Sequence, residues 1–185
     1  MDPRPRILCV DDEVFNLTLL DALLAPRGFE VQKAACGPDA LTMLRNNKVD
    51  LVLLDVMMPA MDGFEVCRRI KEDEHTRSIP VVLLTAMSGR EDRIRGIEAG
   101  ADDFISKPFD KGEILARIAM LLKVKALNER LEGAYRNILG LVAVGAEVMR
   151  TFDPESFDFR TSMDAYAHQL TRRFRPTTPR SWAAS

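Results

Sequence analysis

Cysteine is scarce in this sequence: Cys9, Cys36 and Cys67 are the only three in 185 residues. They lack metal-ligand spacing, and their odd number argues against a disulfide framework. Two of them lie in apolar-periodic segments and read as small core residues. Long apolar runs are missing as well. Nothing approaches about 18 consecutive apolar residues, so no membrane span is expected. The first residues, Met1-Asp-Pro-Arg-Pro-Arg6, lead into only four apolar residues before Asp11, which is not the pattern of a signal peptide. A reducing, cytoplasmic setting is the expectation. Charge of one sign is lacking too, since the net value is −2. It hides a split, with ten Lys/Arg and seven Asp/Glu in residues 123–185 against 16 and 21 in residues 1–122. A tail so mildly basic, with no recognition helix in view, gives no sign of direct nucleic-acid binding. No Gly-x-Gly-x-x-Gly or Gly-x-x-x-x-Gly-Lys-Ser/Thr loop follows any apolar run, so dinucleotide and P-loop proteins are excluded for want of their phosphate cradle.

What is present fits a globular protein: 46% apolar and 29% charged residues, with room for one domain of ordinary size plus an extension. Ile7-Leu-Cys-Val10 is a short apolar run that ends in Asp11-Asp-Glu13. From Val14 the apolar residues Phe15, Leu19, Leu20, Leu23 and Leu24 take helical spacing, until Pro26 and Gly28 stop the helix. Phe29 to Ala34 alternates as an exposed strand, and Gly37-Pro-Asp39 opens a helix with Ala40, Leu41 and Leu44. Leu51 to Leu54 is short and wholly apolar, as suits a strand buried on both faces, and it runs into Asp55. Asp62-Gly63 begins a helix with Phe64, Val66, Cys67 and Ile70 on its apolar side. Ile79 to Thr85 is a fourth strand, followed by a helix from about Gly89 to Glu98. Asp103 to Ser106 is a fifth strand ending at Lys107-Pro108, and a last helix starts near Asp110. This alternation predicts an α/β fold: a five-stranded parallel, doubly wound sheet with right-handed crossovers and a C-terminal helical extension.

In such sheets functional groups gather at the carboxyl ends of the strands. Asp11 and Asp12 follow strand one, Asp55 strand three, Thr85 strand four and Lys107 strand five. Each alone has an ordinary structural reading: an acid pair caps the next helix, a Thr closes a turn, a Lys is solvated. Together they form a constellation at one edge. Clustered carboxylates repel one another unless a cation lies among them, and hard oxygen ligands suit Mg²⁺ or Mn²⁺. A divalent metal, an ammonium and a hydroxyl around one carboxylate can neutralise a phosphoryl group during in-line transfer, with the carboxylate as nucleophile.

Val10-Asp-Asp-Glu13, Leu54-Asp-Val-Met-Met-Pro-Ala-Met-Asp-Gly63, Leu84-Thr-Ala86 and Ser106-Lys-Pro-Phe109 resemble the motifs of two-component response-regulator receiver domains, which are CheY-like and flavodoxin-like in fold. The resemblance assigns residues 1–122 to a receiver. It implies that Asp55 accepts a phosphoryl group from a histidine kinase or phosphotransfer protein. Asp11, Asp12, Asp55 and the Met57 backbone carbonyl would hold Mg²⁺, Thr85 would bond a phosphoryl oxygen, and Lys107 would pair with the phosphoryl charge. A cis peptide at Lys107-Pro108 is implied as well. Phe104 falls at the family's aromatic switch, where the ring turns inward as Thr85 moves. Phe stands where Tyr is common, so no hydroxyl is available there, and a plain core Phe competes as the explanation. Such a protein is a phosphoacceptor that undergoes autophosphorylation and autodephosphorylation, not an enzyme. A haloacid-dehalogenase-type phosphatase, which also uses a strand-end Asp, needs a second Asp two residues later; here that residue is Met57.

Beyond Leu122 the apolar period of three and four continues through Leu121, Val124, Leu131, Tyr135, Ile138, Val142, Met149 and Phe152, with Asn128 and Gly145 in the remaining slots. Residues 123–152 therefore read as the last receiver helix prolonged into a coiled-coil stalk, through which a homodimer would form. Gly133, Gly140 and Gly145 oppose this, and an amphipathic helix packed on its own chain is the alternative. Residues 153–185 read as a partial helix, Ser162 to Phe174, and a disordered tail, the remnant of an output domain. His168 is a lone histidine without a metal partner nearby. Ala86-Met-Ser-Gly-Arg-Glu-Asp-Arg93 resembles receivers of cyclic-di-GMP-signalling regulators, so a truncated regulator of a phosphodiesterase-type output stands as one alternative. A receiver-fold interaction module that is never phosphorylated is the other.

Overall fold

The structure, a computed structural model, describes residues 4–86 and 89–152, with side chains as far as Gly145. Five parallel strands, β1 (Arg6–Val10), β2 (Glu30–Ala34), β3 (Leu51–Asp55), β4 (Val81–Thr85) and β5 (Asp103–Ser106), lie in the order β2-β1-β3-β4-β5. They alternate with α1 (Val14–Leu24), α2 (Gly37–Asn46), α3 (Gly63–Glu72), α4 (Arg90–Glu98) and α5 (Lys111–Phe152). The chain falls into two compact units, Met1–Asn128 and Glu129–Ser185. The helix expected at 162–174, the tail around it and the side chains of Met149 and Phe152 lie outside the described residues.

Side chains along a strand alternate between the two faces of the sheet, so each apolar run feeds two layers. Leu8, Val10, Val52, Leu54, Val81 and Leu83 pack with Phe64, Val66, Cys67 and Ile70 of α3 and with Ala40 and Leu44 of α2. On the other face Ile7, Cys9, Leu51, Leu53, Val82 and Leu84 pack with Leu17, Leu20, Leu23 and Leu24 of α1 and with Ile114, Ile118 and Leu121 of α5. Cys9 and Cys67 are core residues, as expected, and burial pushes both thiols up to about 12. Neither is a nucleophile near neutral pH.

One helix face differs from the expected one. Helix α1 buries Leu17, while Phe15 is 75% and Leu19 46% exposed. Apolar residues surround most of α1, so their spacing did not select a face. Leu121, the last apolar position of the receiver helix before the expected stalk of residues 123–152, is only 8% exposed and fills the core beside Ile118. Lys125 holds α5 to the sheet past Leu122: its ammonium donates to Asp50 Oδ1 at 3.1 Å and to the carbonyls of Val49 and Asp50 at 3.3 Å. Among the described residues no helix is long and apolar enough to cross a membrane.

Helix α3 begins where the chain touches itself. The Gly63 amide donates to the Val56 carbonyl at 3.0 Å, and Asp62 caps the helix by accepting from the Glu65 amide at 2.8 Å. A Cβ at position 63 would overlap the Asp55 carbonyl oxygen and lie 2.8 Å from Val56 Cα. Only glycine lets the helix start so close to the end of β3. Because the obstacle is backbone, Gly63→Ala should destabilise the domain by about 1–3 kcal/mol in urea denaturation, the usual cost of overpacking.

The Asp50 carboxylate also receives the Arg6 amide at 2.9 Å. Burial pushes Asp50 up, but the Arg6 amide and then the Lys125 ammonium outweigh it, and the carboxyl stands below its usual range. A depressed folded-state value contributes stability that is present above the unfolded carboxylate range and is lost as pH falls through the folded value. Asp50→Asn should therefore cost about 1–2 kcal/mol at neutral pH. Urea melts at descending pH should show the gap to wild type closing below the carboxylate range.

Candidate functional site

The parallel register brings the four polar strand ends together. Val10 pairs with Leu54, Asp55 with Leu84 and Thr85 with Ser106, so Asp11, Asp55, Thr85 and Lys107 stand in adjacent positions along one edge. The strand order turns back between β1 and β3, the switch point where open α/β sheets place their ligands. Carboxylate oxygens of Asp11, Asp12 and Asp55 lie within 4.8 Å of one another. Asp11 is fully buried and Asp55 nearly so, whereas Asp12 is exposed.

Lys107 reaches into this cluster from the end of β5. Its ammonium donates to Asp11 Oδ2 and to Asp55 Oδ1, both at 2.8 Å, across 96 and 52 residues of sequence. Its backbone amide donates to the Thr85 carbonyl at 2.7 Å, and the Lys107-Pro108 peptide is cis. Burial raises the Asp55 carboxyl; the Lys107 bond and charge lower it, the Asp11 charge raises it again, and it stands above its usual value. Burial lowers the Lys107 ammonium, but its bonds to Asp11 and Asp55 outweigh that and hold it above its usual value. One ammonium set against three carboxylates leaves the cluster negative. A donor set of carboxylate oxygens without sulfur or imidazole fits a hard divalent cation such as Mg²⁺.

Thr85 and Phe104 share a cavity of about 50 Å³, which Val56, Phe64 and Ser106 also line. The Phe104 ring rests on α4 at Gly96, where a Cβ would overlap the ring and come within 3.1 Å of Leu83 Cδ1. The Met57 side chain is 57% exposed in the β3–α3 loop, whose amides at Met58, Met61 and Gly63 donate to the carbonyls of Val56 and Pro59.

Two residues of the site were not anticipated from the sequence. Asn16, in the first turn of α1, donates to Asp11 Oδ1 at 3.0 Å and to Glu13 Oε2 at 3.2 Å. Its signal was an amide one helical turn after an acidic run. Arg95 of α4 lies 4.5 Å over the Phe64 ring and donates to Asp62 Oδ2 at 3.3 Å, a pairing across 33 residues with no local pattern to betray it.

The same stretch of chain has known counterparts. Residues 7–119 match the family model of the response regulator receiver domain. The chain is 51% identical over 126 residues to the response regulator PleD of Caulobacter vibrioides, covering 68% of this chain and 28% of PleD. It is 43% identical over 119 residues to the DNA-binding dual master transcriptional regulator RpaA of a Synechocystis strain, covering 64% of this chain and 49% of RpaA. The match thus spans less than half of either regulator. Among solved structures, a response regulator from Chloroflexus aurantiacus aligns with a TM-score of 0.63 at 34% identity, over 65% of this chain and 98% of that one. The receiver of an HD domain-containing protein from Pseudomonas fluorescens aligns with a TM-score of 0.66 at 29% identity, over 70% and 95%. With the motifs, the strand order and the clustered strand ends in agreement, the chain belongs to the response regulator receiver domain family of two-component systems.

Proposed function

We propose that this receiver accepts a phosphoryl group on Asp55 from a histidine kinase or phosphotransfer protein, in the cytoplasm and with Mg²⁺. The observation that carries this is the Lys107 ammonium shared between Asp55 and Asp11 within a three-carboxylate cluster. An Asp55 oxygen attacks phosphorus, the bond from phosphorus to the donor imidazole nitrogen breaks, and its electron pair stays on that nitrogen. Hydrolysis later returns the carboxylate. Asp11, Asp12, Asp55 and the Met57 carbonyl would hold Mg²⁺, which supplies positive charge for the phosphoryl oxygens when bound. Lys107 keeps a second positive charge at the nucleophile, and the Thr85 hydroxyl bonds a phosphoryl oxygen. Phe104 lines the same cavity as Thr85, so movement of Thr85 toward the phosphoryl group changes the space open to the ring. On α1, just after the acids, Val14 and Phe15 are 73% and 75% exposed and offer the donor protein an apolar footing.

Output runs through α5 by dimerisation. In the second unit Leu131, Ile138 and Leu141 are exposed while Tyr135 and Val142 are partly covered. With Ala134 between them, these exposed residues keep the three-and-four spacing of a coiled-coil seam, shifted from the seam expected through Asn128, Tyr135 and Val142. The likeness to the receiver of an HD domain-containing protein favours, as a second reading, a regulator with an output of that type.

Incubation with acetyl phosphate and Mg²⁺ should add one phosphoryl group by intact mass, and Asp55→Asn should abolish the gain. No gain in the wild type would leave the non-phosphorylated interaction module standing. By light scattering, the full chain should be a dimer that Leu131→Asp or Leu141→Asp converts to monomer, with Asn128→Leu without effect; a dimer indifferent to both Asp substitutions rules out this seam.

A further inference from the structure

The acidic run Asp11-Asp-Glu13 together with Asp55 places four carboxyl groups near one sheet edge, more than the Lys107 ammonium can hold. Their sorting falls to Asn16. Asp11 Oδ2 is taken by Lys107 at 2.8 Å. Asp11 Oδ1 accepts the Glu13 amide at 2.9 Å and the Asn16 carboxamide nitrogen at 3.0 Å. The same nitrogen donates to Glu13 Oε2 at 3.2 Å. Lying between two carboxylate oxygens, the Asn16 amide must present its NH₂, whose two hydrogens supply one bond to each acid. Asn16 sits in the first turn of an 11-residue helix whose Leu17 and Leu20 are core residues, so its backbone is fixed by packing.

We infer that Asn16 is a positioning residue for the cation: it fixes the Asp11 carboxylate and holds Glu13 aside so that Asp11, Asp12 and Asp55 present their oxygens to Mg²⁺. The inference rests on the Mg²⁺-dependent function proposed above and names a determinant of it that no motif contains. Without the carboxamide, Asp11 Oδ1 keeps only the Glu13 amide and can rotate, and the Glu13 carboxylate is released toward its acidic neighbours. Outer partners that orient metal ligands are worth roughly 10–100-fold in metal affinity. Asn16 carries no charge and its carboxamide nitrogen is engaged by Asp11 and Glu13, so its loss acts on cation affinity and not on the transfer step.

The test uses Asn16→Ala and the near-isosteric Asn16→Leu in the full chain, with Mg²⁺ titrated by calorimetry in the absence of phosphodonor. Both variants should bind Mg²⁺ about 10-fold more weakly. Acetyl phosphate labelling should need correspondingly more Mg²⁺ for half-maximal rate, while the rate at saturating Mg²⁺ stays at the wild-type value. Melting temperatures without cation should match wild type. Wild-type Mg²⁺ affinity in both variants would overturn the role of Asn16 and leave the Mg²⁺ site standing. A weakened affinity that follows a fall in melting temperature in both variants, or a lowered rate at saturating Mg²⁺, would also overturn it. Absence of Mg²⁺ binding by the wild type would instead remove the function on which the inference rests.

Discussion

Two buried carboxylates, Asp11 and Asp55, share one ammonium, and the geometry of the functional edge follows from that sharing. A buried charge without a partner is costly, and truncating one member of a buried pair leaves the other uncompensated. Lys107 meets both acids at once because β5 ends at Ser106 and the next amide is pinned to the Thr85 carbonyl. The sheet therefore carries a strain of like charges that a single lysine relieves only in part. The residual negative potential suits the edge to a hard cation.

Everything beneath that edge serves to hold it still. Strands β1 and β3 are apolar on both faces, so α1 and α5 cover one side and α2 and α3 the other. Gly63 lets α3 start against the end of β3, and the Asp62 cap and the Arg95 contact fasten the same loop from two directions. Helix α5 changes role along its length. Its first turns supply Ile114, Ile118 and Leu121 to the core, Lys125 anchors to the strand start at Asp50, and farther along Leu131, Ile138, Leu141 and Val144 are exposed.

The legible parts were those written locally. A four-residue apolar run that stops at an acid can be read as a buried strand with a functional end, because strand burial and the strand-end rule concern neighbours in sequence. Asp11, Asp12, Asp55, Thr85 and Lys107 were all singled out in that way, and all but the exposed Asp12 are tied into the edge by burial, register or hydrogen bonds. Less legible was the face of α1, since Val14, Phe15, Leu17, Leu19 and Leu20 crowd two turns and any of several stripes looks apolar. The stalk seam was less legible for a related reason: period alone does not say whether an apolar residue faces its own core or another chain.

The sequence by itself determined the alternation of strand and helix, the buried character of the central strands and the chemical types gathered at their ends, because each depends on residues a few positions apart. Only the tertiary structure decided which acids Lys107 joins, that Asn16 restrains Asp11 and Glu13, and which edge of α5 stays open. The Lys107 pairing depends on how strands 50 to 100 residues apart register against one another. That register comes from packing of the whole core and is recorded in no local stretch of the chain.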